Sequence, residues 1–191
     1  RAAQRLSIVA PATLFIIFLL LYLNFRNVIE PLVVMMSMPF ALVGGIWLVY
    51  LNNYNMSVGV AVGFIALAGM AAEIGVLVLS FIDTEIAKRR ADASEPLSVI
   101  EIKDAVLSAT SKRVRPVAMT AISTMAGLIP IMLSSSTGSD VTHRIAAPML
   151  GGMLTVLILN LLVLPVLYSF ILQFQEAAKK KSDQAIALAS G

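Results

Sequence analysis

Glu73 is the only charged side chain among the 52 residues between Glu30 and Asp83. The residues around it are apolar enough to cross a membrane twice. A carboxylate at membrane depth costs roughly 2.5–3.5 kcal/mol on insertion scales, so it needs a partner or a task. The task that fits an isolated carboxylate is binding protons or coordinating cations. The competing reading is a structural ion pair with a Lys or Arg of another helix. The chemistry favoured here is proton or cation carriage.

Three hydroxyls form a second group. Thr120 and Thr124 are four residues apart, on one helix face, with Ser123 beside them. They can hydrogen-bond a neighbouring carboxylate or their own i−4 carbonyls, and the sequence leaves both readings open. Ten methionines raise soft-metal chemistry, because thioethers suit Cu(I). Met35, Met36 and Met38 fall on different faces of one helix, so packing is the better reading. His143, the single histidine, stands beside Arg144 with no second ligand nearby. No metal-binding residues are assigned, and no resident cofactor is expected. An intramembrane protease would need a nucleophile with a base, or a second acid within a span. Neither is present, so the chain is read as a transporter and not an enzyme.

The elements that must position Glu73 are membrane helices. Hydrophobic residues make up 59% of the chain and charged residues 13%, against about 25% in soluble domains. The basic pI of about 9.4 comes from residues beside apolar runs, which speaks for a membrane setting and against nucleic acid. The absence of cysteine excludes disulfides and thiolate sites. Five uncharged runs are long enough to span about 30 Å of hydrocarbon. They cover about 6–25, 31–51, 56–82, 116–133 and 145–172, together a partial transmembrane domain over 1–175. The expected fold is all-α. Asn52 to Asn55 mark a polar turn, and Pro130 and Pro165 are expected to kink their helices.

Lys and Arg set the orientation. Three of them fall on the N-terminal side and eleven on the other, which is therefore cytoplasmic. An external start with no initiator Met reads as a piece of a longer protein. The loop 83–115 is cytoplasmic, with an amphipathic helix expected over Glu101 to Lys112. The stretch 176–191 reads as a basic cytoplasmic tail.

The third span is rich in small residues, with Gly59 and Gly63 as a small-xxx-small pair that lets helices approach closely. This predicts an interior helix. Glu73 shares its face with Ala66, Gly69, Met70, Val76, Leu77 and Ser80.

Several strings together resemble the resistance-nodulation-division (RND) efflux pumps. They are Ala68-Gly69-Met70-Ala71-Ala72-Glu73-Ile74-Gly75, Arg113-Val114-Arg115-Pro116, Ala118-Met119-Thr120, Arg144-Ile145-Ala146-Ala147-Pro148-Met149 and Gly151-Gly152-Met153. Leu21 to Arg26 and Met38 to Gly45 fit as well. The resemblance covers Leu6 to about Leu172 and implies the last five of the twelve helices of such a pump. The Ala-Ala-Glu string is similar to the heavy-metal branch, where multidrug members carry Lys. It implies proton-driven export of metal cations and a relay role for Glu73, with Thr120 close by and Ser123 and Thr124 in support. The Arg144–Met149 string leans toward copper and silver. Val117 stands where such pumps carry a relay lysine, and Thr142-His143 stand where copper/silver members tend to have Met. Zinc, cobalt and nickel therefore stay open, as does a multidrug or amphiphile exporter. A structural or assembly subunit is the remaining alternative. The family further implies a homotrimer in the bacterial inner membrane, with a periplasmic adaptor and an outer-membrane channel as partners.

Overall fold

The computed structural model describes residues 2–93, 97–135 and 138–174, and every regular element among them is helical. The helices are α1 (Ala2–Phe25), α2 (Ile29–Leu51), α3 (Val58–Asp92), α4 (Val99–Leu133) and α5 (Ser139–Phe174). Four of them, α2 to α5, are long and apolar enough to cross a membrane, and the apolar part of α1, Pro11–Phe25, is shorter. The tail 176–191 lies outside the described residues.

Local chemistry explains where the helices begin and turn. Asn53 turns the chain after α2 at φ 54°, a left-handed conformation that Asn tolerates better than most residues. Ser57 then caps α3, its hydroxyl accepting from the Val60 amide at 3.4 Å. At α4, Ser98 and Glu101 form a reciprocal capping box.

The segment 83–115, expected as a loop, takes a different form. The segment 101–112 is helical, but as the first turns of α4 and not as a separate helix. On the other side, α3 runs on past Ile82 to Asp92. No Gly or Pro lies between Asp83 and Asp92 to stop it, and the capping box starts α4 well before Pro116. Charged pairs then join the two extensions, with Arg89 bonded to Asp104 at 2.9 Å and Lys112 to Glu85 at 3.3 Å.

The core lies between α2, α3 and α5, with α4 against α3 and α5, and α1 packed mainly on α2. Val34, Leu67, Val78, Leu79, Ile82 and Met153 fill its centre. Small residues let the helices approach. A Cβ on Gly151 would lie 2.5 Å from the Gly44 carbonyl oxygen and 2.6 Å from Leu48 Cβ, so α2 and α5 touch backbone to backbone there. Gly63 plays the same part between α3 and α5, where an added Cβ would sit 2.5 Å from Pro148 Cγ.

The expected disturbance at Pro165 takes the form of a π-helical segment, Leu159–Val163, just before it. Proline lacks an amide hydrogen and crowds the carbonyl four residues back; a wider turn relieves that conflict.

Candidate functional site around Glu73

Among the membrane-length helices, α3 has the most enclosed apolar stretch, in keeping with its small-residue content. Its two sides differ. Leu67, Ala71, Ile74 and Val78 are buried against α2 and α5. Glu73 instead lies on the exposed side, with Gly69 and Leu77 exposed and Met70, Val76 and Ser80 half-buried around it. An added Cβ at Gly69 would meet nothing within 4 Å. The expectation of an interior helix therefore holds for α3, but Glu73 itself is not enclosed by the other helices of this chain. Among the described residues it has neither a hydrogen-bond partner nor an ion-pair partner.

The hydroxyls of α4 take the local option. Thr120 Oγ1 donates to the Pro116 carbonyl at 3.1 Å, and Thr124 Oγ1 to the Thr120 carbonyl at 2.9 Å. Ser123 is exposed. The structure thus brings no hydroxyl of α4 into hydrogen-bond contact with Glu73. Val117 is buried in the hydrophobic core, so an apolar contact occupies the position where a relay lysine is expected from the resemblance.

The remaining candidates separate. Met38 is buried while Met36 is exposed, consistent with packing on several faces. His143 Nε2 is enclosed without a hydrogen-bond partner. No group of three or more His, Cys, Asp or Glu side chains comes together among the described residues.

Two buried polar sets escaped the sequence reading. Asn160, wholly buried in the π-helical segment, donates from Nδ2 to the Ala71 carbonyl at 3.2 Å. It thereby ties α5 to α3 two residues before Glu73. Tyr168 on α5 is 1% exposed. Its hydroxyl lies 3.0 Å from Glu30 Oε1 on α2 and is also hydrogen-bonded to Asp83 Oδ1 on α3. These partners are 138 and 85 residues away in sequence, so no local spacing could have announced them.

Comparison with known proteins gives these observations a setting. The model of the AcrB/AcrD/AcrF family matches residues 1–172. The chain is 46% identical to the cation efflux system protein SilA of Salmonella typhimurium over 171 residues, 89% of this chain and 16% of that protein. It is 43% identical to the cation efflux system protein CusA of Escherichia coli K12 over 181 residues, 94% of this chain and 17% of that protein. Over its helices it superposes on the crystal structure of a heavy metal efflux pump with a TM-score of 0.78 and 34% identity. That match covers 91% of this chain and 16% of the pump. The chain thus spans about one-sixth of the length of these relatives.

Proposed function

Because the chain belongs to the AcrB/AcrD/AcrF family, and within it resembles the heavy-metal efflux pumps, we propose that it is part of a proton-driven exporter of heavy-metal cations. Glu73 is the proton carrier in this reading. The observation that carries it is an unpartnered carboxylate within the apolar stretch of the best-enclosed helix. Its face is lined by small and medium side chains, so another helix can approach it. Protonation removes the charge and with it the cost of enclosing Glu73 in that contact. A proton gradient can do work through such a step only if two packing states differ in proton affinity.

Thr120 on α4 is the second relay residue in this reading, with Ser123 and Thr124 as supporting polar groups. Its hydroxyl is committed to Pro116 in this arrangement and must turn from that carbonyl to join a relay. Copper and silver are the favoured cargo, on the Arg144–Met149 string. Thr142-His143, standing where copper/silver members tend to have Met, keep zinc, cobalt and nickel as further candidates, while Val117 leaves the relay without its expected lysine. The assembly in this reading is a homotrimer in the bacterial inner membrane, coupled to a periplasmic adaptor and an outer-membrane channel.

The test is metal-dependent growth and proton-coupled efflux by the full-length protein, wild type against Glu73→Gln, at matched membrane abundance. Copper, silver, zinc, cobalt and nickel are supplied in parallel. Loss of efflux for one metal group in the variant supports the carrier role and names the cargo. Unaltered efflux removes Glu73 from the relay, and a wild type without any metal phenotype removes the metal.

A further inference from the structure

We propose that Glu30, Asp83 and Tyr168 form a proton-binding site, separate from Glu73, that holds one proton between its two carboxyl groups. Three helices meet there. Glu30 opens α2, Asp83 follows the last apolar residue of the α3 span, and Tyr168 comes from the final turns of α5. Asp83 is ten residues beyond Glu73, about 15 Å along the helix axis, at the end of the bundle that carries the basic loop.

The argument is a count of protons. A tyrosine hydroxyl has one proton to donate. Here the Tyr168 oxygen stands in hydrogen-bond contact with Glu30 Oε1 at 3.0 Å and with Asp83 Oδ1. If both carboxyl groups were ionised, one of these contacts would set an oxygen acceptor against another with no proton between them. A second proton resolves this, because one carboxyl group then donates to the tyrosine oxygen while the tyrosine donates to the other.

Burial points the same way. Glu30 is 6% exposed, and its Oε2 is enclosed without any hydrogen-bond partner. The Asn27 side-chain amide donates to Oε1 at 3.1 Å and leaves Oε2 unserved. A buried carboxylate charge with an orphaned oxygen is costly, whereas a neutral carboxyl group tolerates that position. Among the described residues, the charged and titratable groups acting on the site are Glu30 from α2, Asp83 and Arg90 from α3, and Tyr168 from α5. No third carboxylate or histidine joins the pair among the described residues, so a proton fits this site better than a divalent cation.

Release of the shared proton sets two charges against one tyrosine and weakens the link between α2, α3 and α5 at their basic-loop ends. Proton occupancy and helix closure are thereby linked.

The test is infrared spectroscopy of the full-length protein in lipid vesicles, in a Glu73→Gln background so that Glu73 adds no signal. The expected result at neutral pH is a protonated-carboxyl carbonyl band that disappears in the Glu30→Gln/Asp83→Asn double variant. An identical band in the double variant, or no such band in the parent, overturns the proposal. If the double variant does not fold, Tyr168→Phe decides. That change keeps both carboxyl groups and the ring, so loss of the tyrosine hydrogen bond must shift the band, and an unshifted band also overturns the proposal.

Discussion

The side-chain amide of Asn160 reaches the carbonyl of Ala71 at 3.2 Å across 89 residues of sequence. It joins the π-helical turn of α5 to α3 just before Glu73. A helical carbonyl has two lone pairs, so Ala71 can accept from Asn160 without leaving the α3 ladder. A Cβ added at Gly75 would meet the Asn160 side chain at 3.4 Å, an ordinary contact. The link therefore depends on the π-helical turn that carries Asn160.

Asn160→Ala is expected to destabilise the bundle by about 1–3 kcal/mol, through a lost buried hydrogen bond and the space left behind. Asn160→Asp, almost isosteric, keeps the shape but buries a carboxylate that has no donor, and is expected to cost more. Thermal unfolding in detergent checks the order wild type, Ala, Asp. An Asp variant as stable as wild type would show that water or another donor reaches the site.

Gly59 and Gly63 look equivalent in sequence, yet the structure separates them. A Cβ on Gly59 would make ordinary contacts, the nearest 3.5 Å away at Arg144 Cβ. On Gly63 it would strike the Ile145 carbonyl and approach Pro148 Cγ to 2.5 Å. Gly63→Ala is expected to cost about 1–3 kcal/mol by overpacking. Gly59→Ala should be neutral, or should stabilise by up to about 1 kcal/mol through helix propensity. Equal effects on the unfolding midpoint would contradict the close α3–α5 contact.

The capping box at α4 gives a pH-dependent prediction outside the apolar stretch. The Ser98 backbone amide, donating to Glu101 Oε2 at 2.7 Å, and then the Ser98 side chain beside it hold the Glu101 carboxyl below the ordinary carboxylate range. A carboxyl group lowered in the folded state stabilises above its unfolded value and loses that contribution as pH falls through the folded one. Glu101→Ala should therefore lower the unfolding midpoint more at neutral pH than in acid. Hydrogen exchange of the 99–104 amides, measured at both pH values, reads this directly, and a pH-independent effect would remove Glu101 from the cap.

The sequence shows the helices more fully than the contacts between them. Uncharged runs locate the spans because hydrocarbon length demands them, and Glu73 stands out because nothing charged lies near it. The uncharged run ends at Asp83 and so does not mark the continuation of α3 to Asp92, although nothing at Asp83 breaks helical geometry. The helix expected over Glu101 to Lys112 is present, but continuous with the span that follows it. Thr120 and Thr124 were undecidable for another reason. A hydroxyl can turn to its own helix or to a neighbour, and only the neighbour's position settles which. Glu30, Asp83 and Tyr168 were seen only as boundary or apolar-run residues. Their meeting depends on how three helices pack, and no spacing encodes that.

Arg113 and Phe81 provide the last prediction. The guanidinium carbon lies 3.3 Å from the ring centroid and couples α4 to α3 where both helices leave the apolar layer. A partly desolvated cation–π contact is worth about 0.5–2 kcal/mol, whereas an exposed ion pair such as Lys112–Glu85 is worth about 0.2–1 kcal/mol and is screened by salt. A double-mutant cycle with Arg113→Gln and Phe81→Leu should give a coupling in the higher range that persists at high salt. The corresponding Lys112→Gln/Glu85→Gln cycle should fade under the same conditions. If both couplings vanish together in salt, the α3–α4 joint is held by surface charge alone and the stacked guanidinium contributes nothing to it.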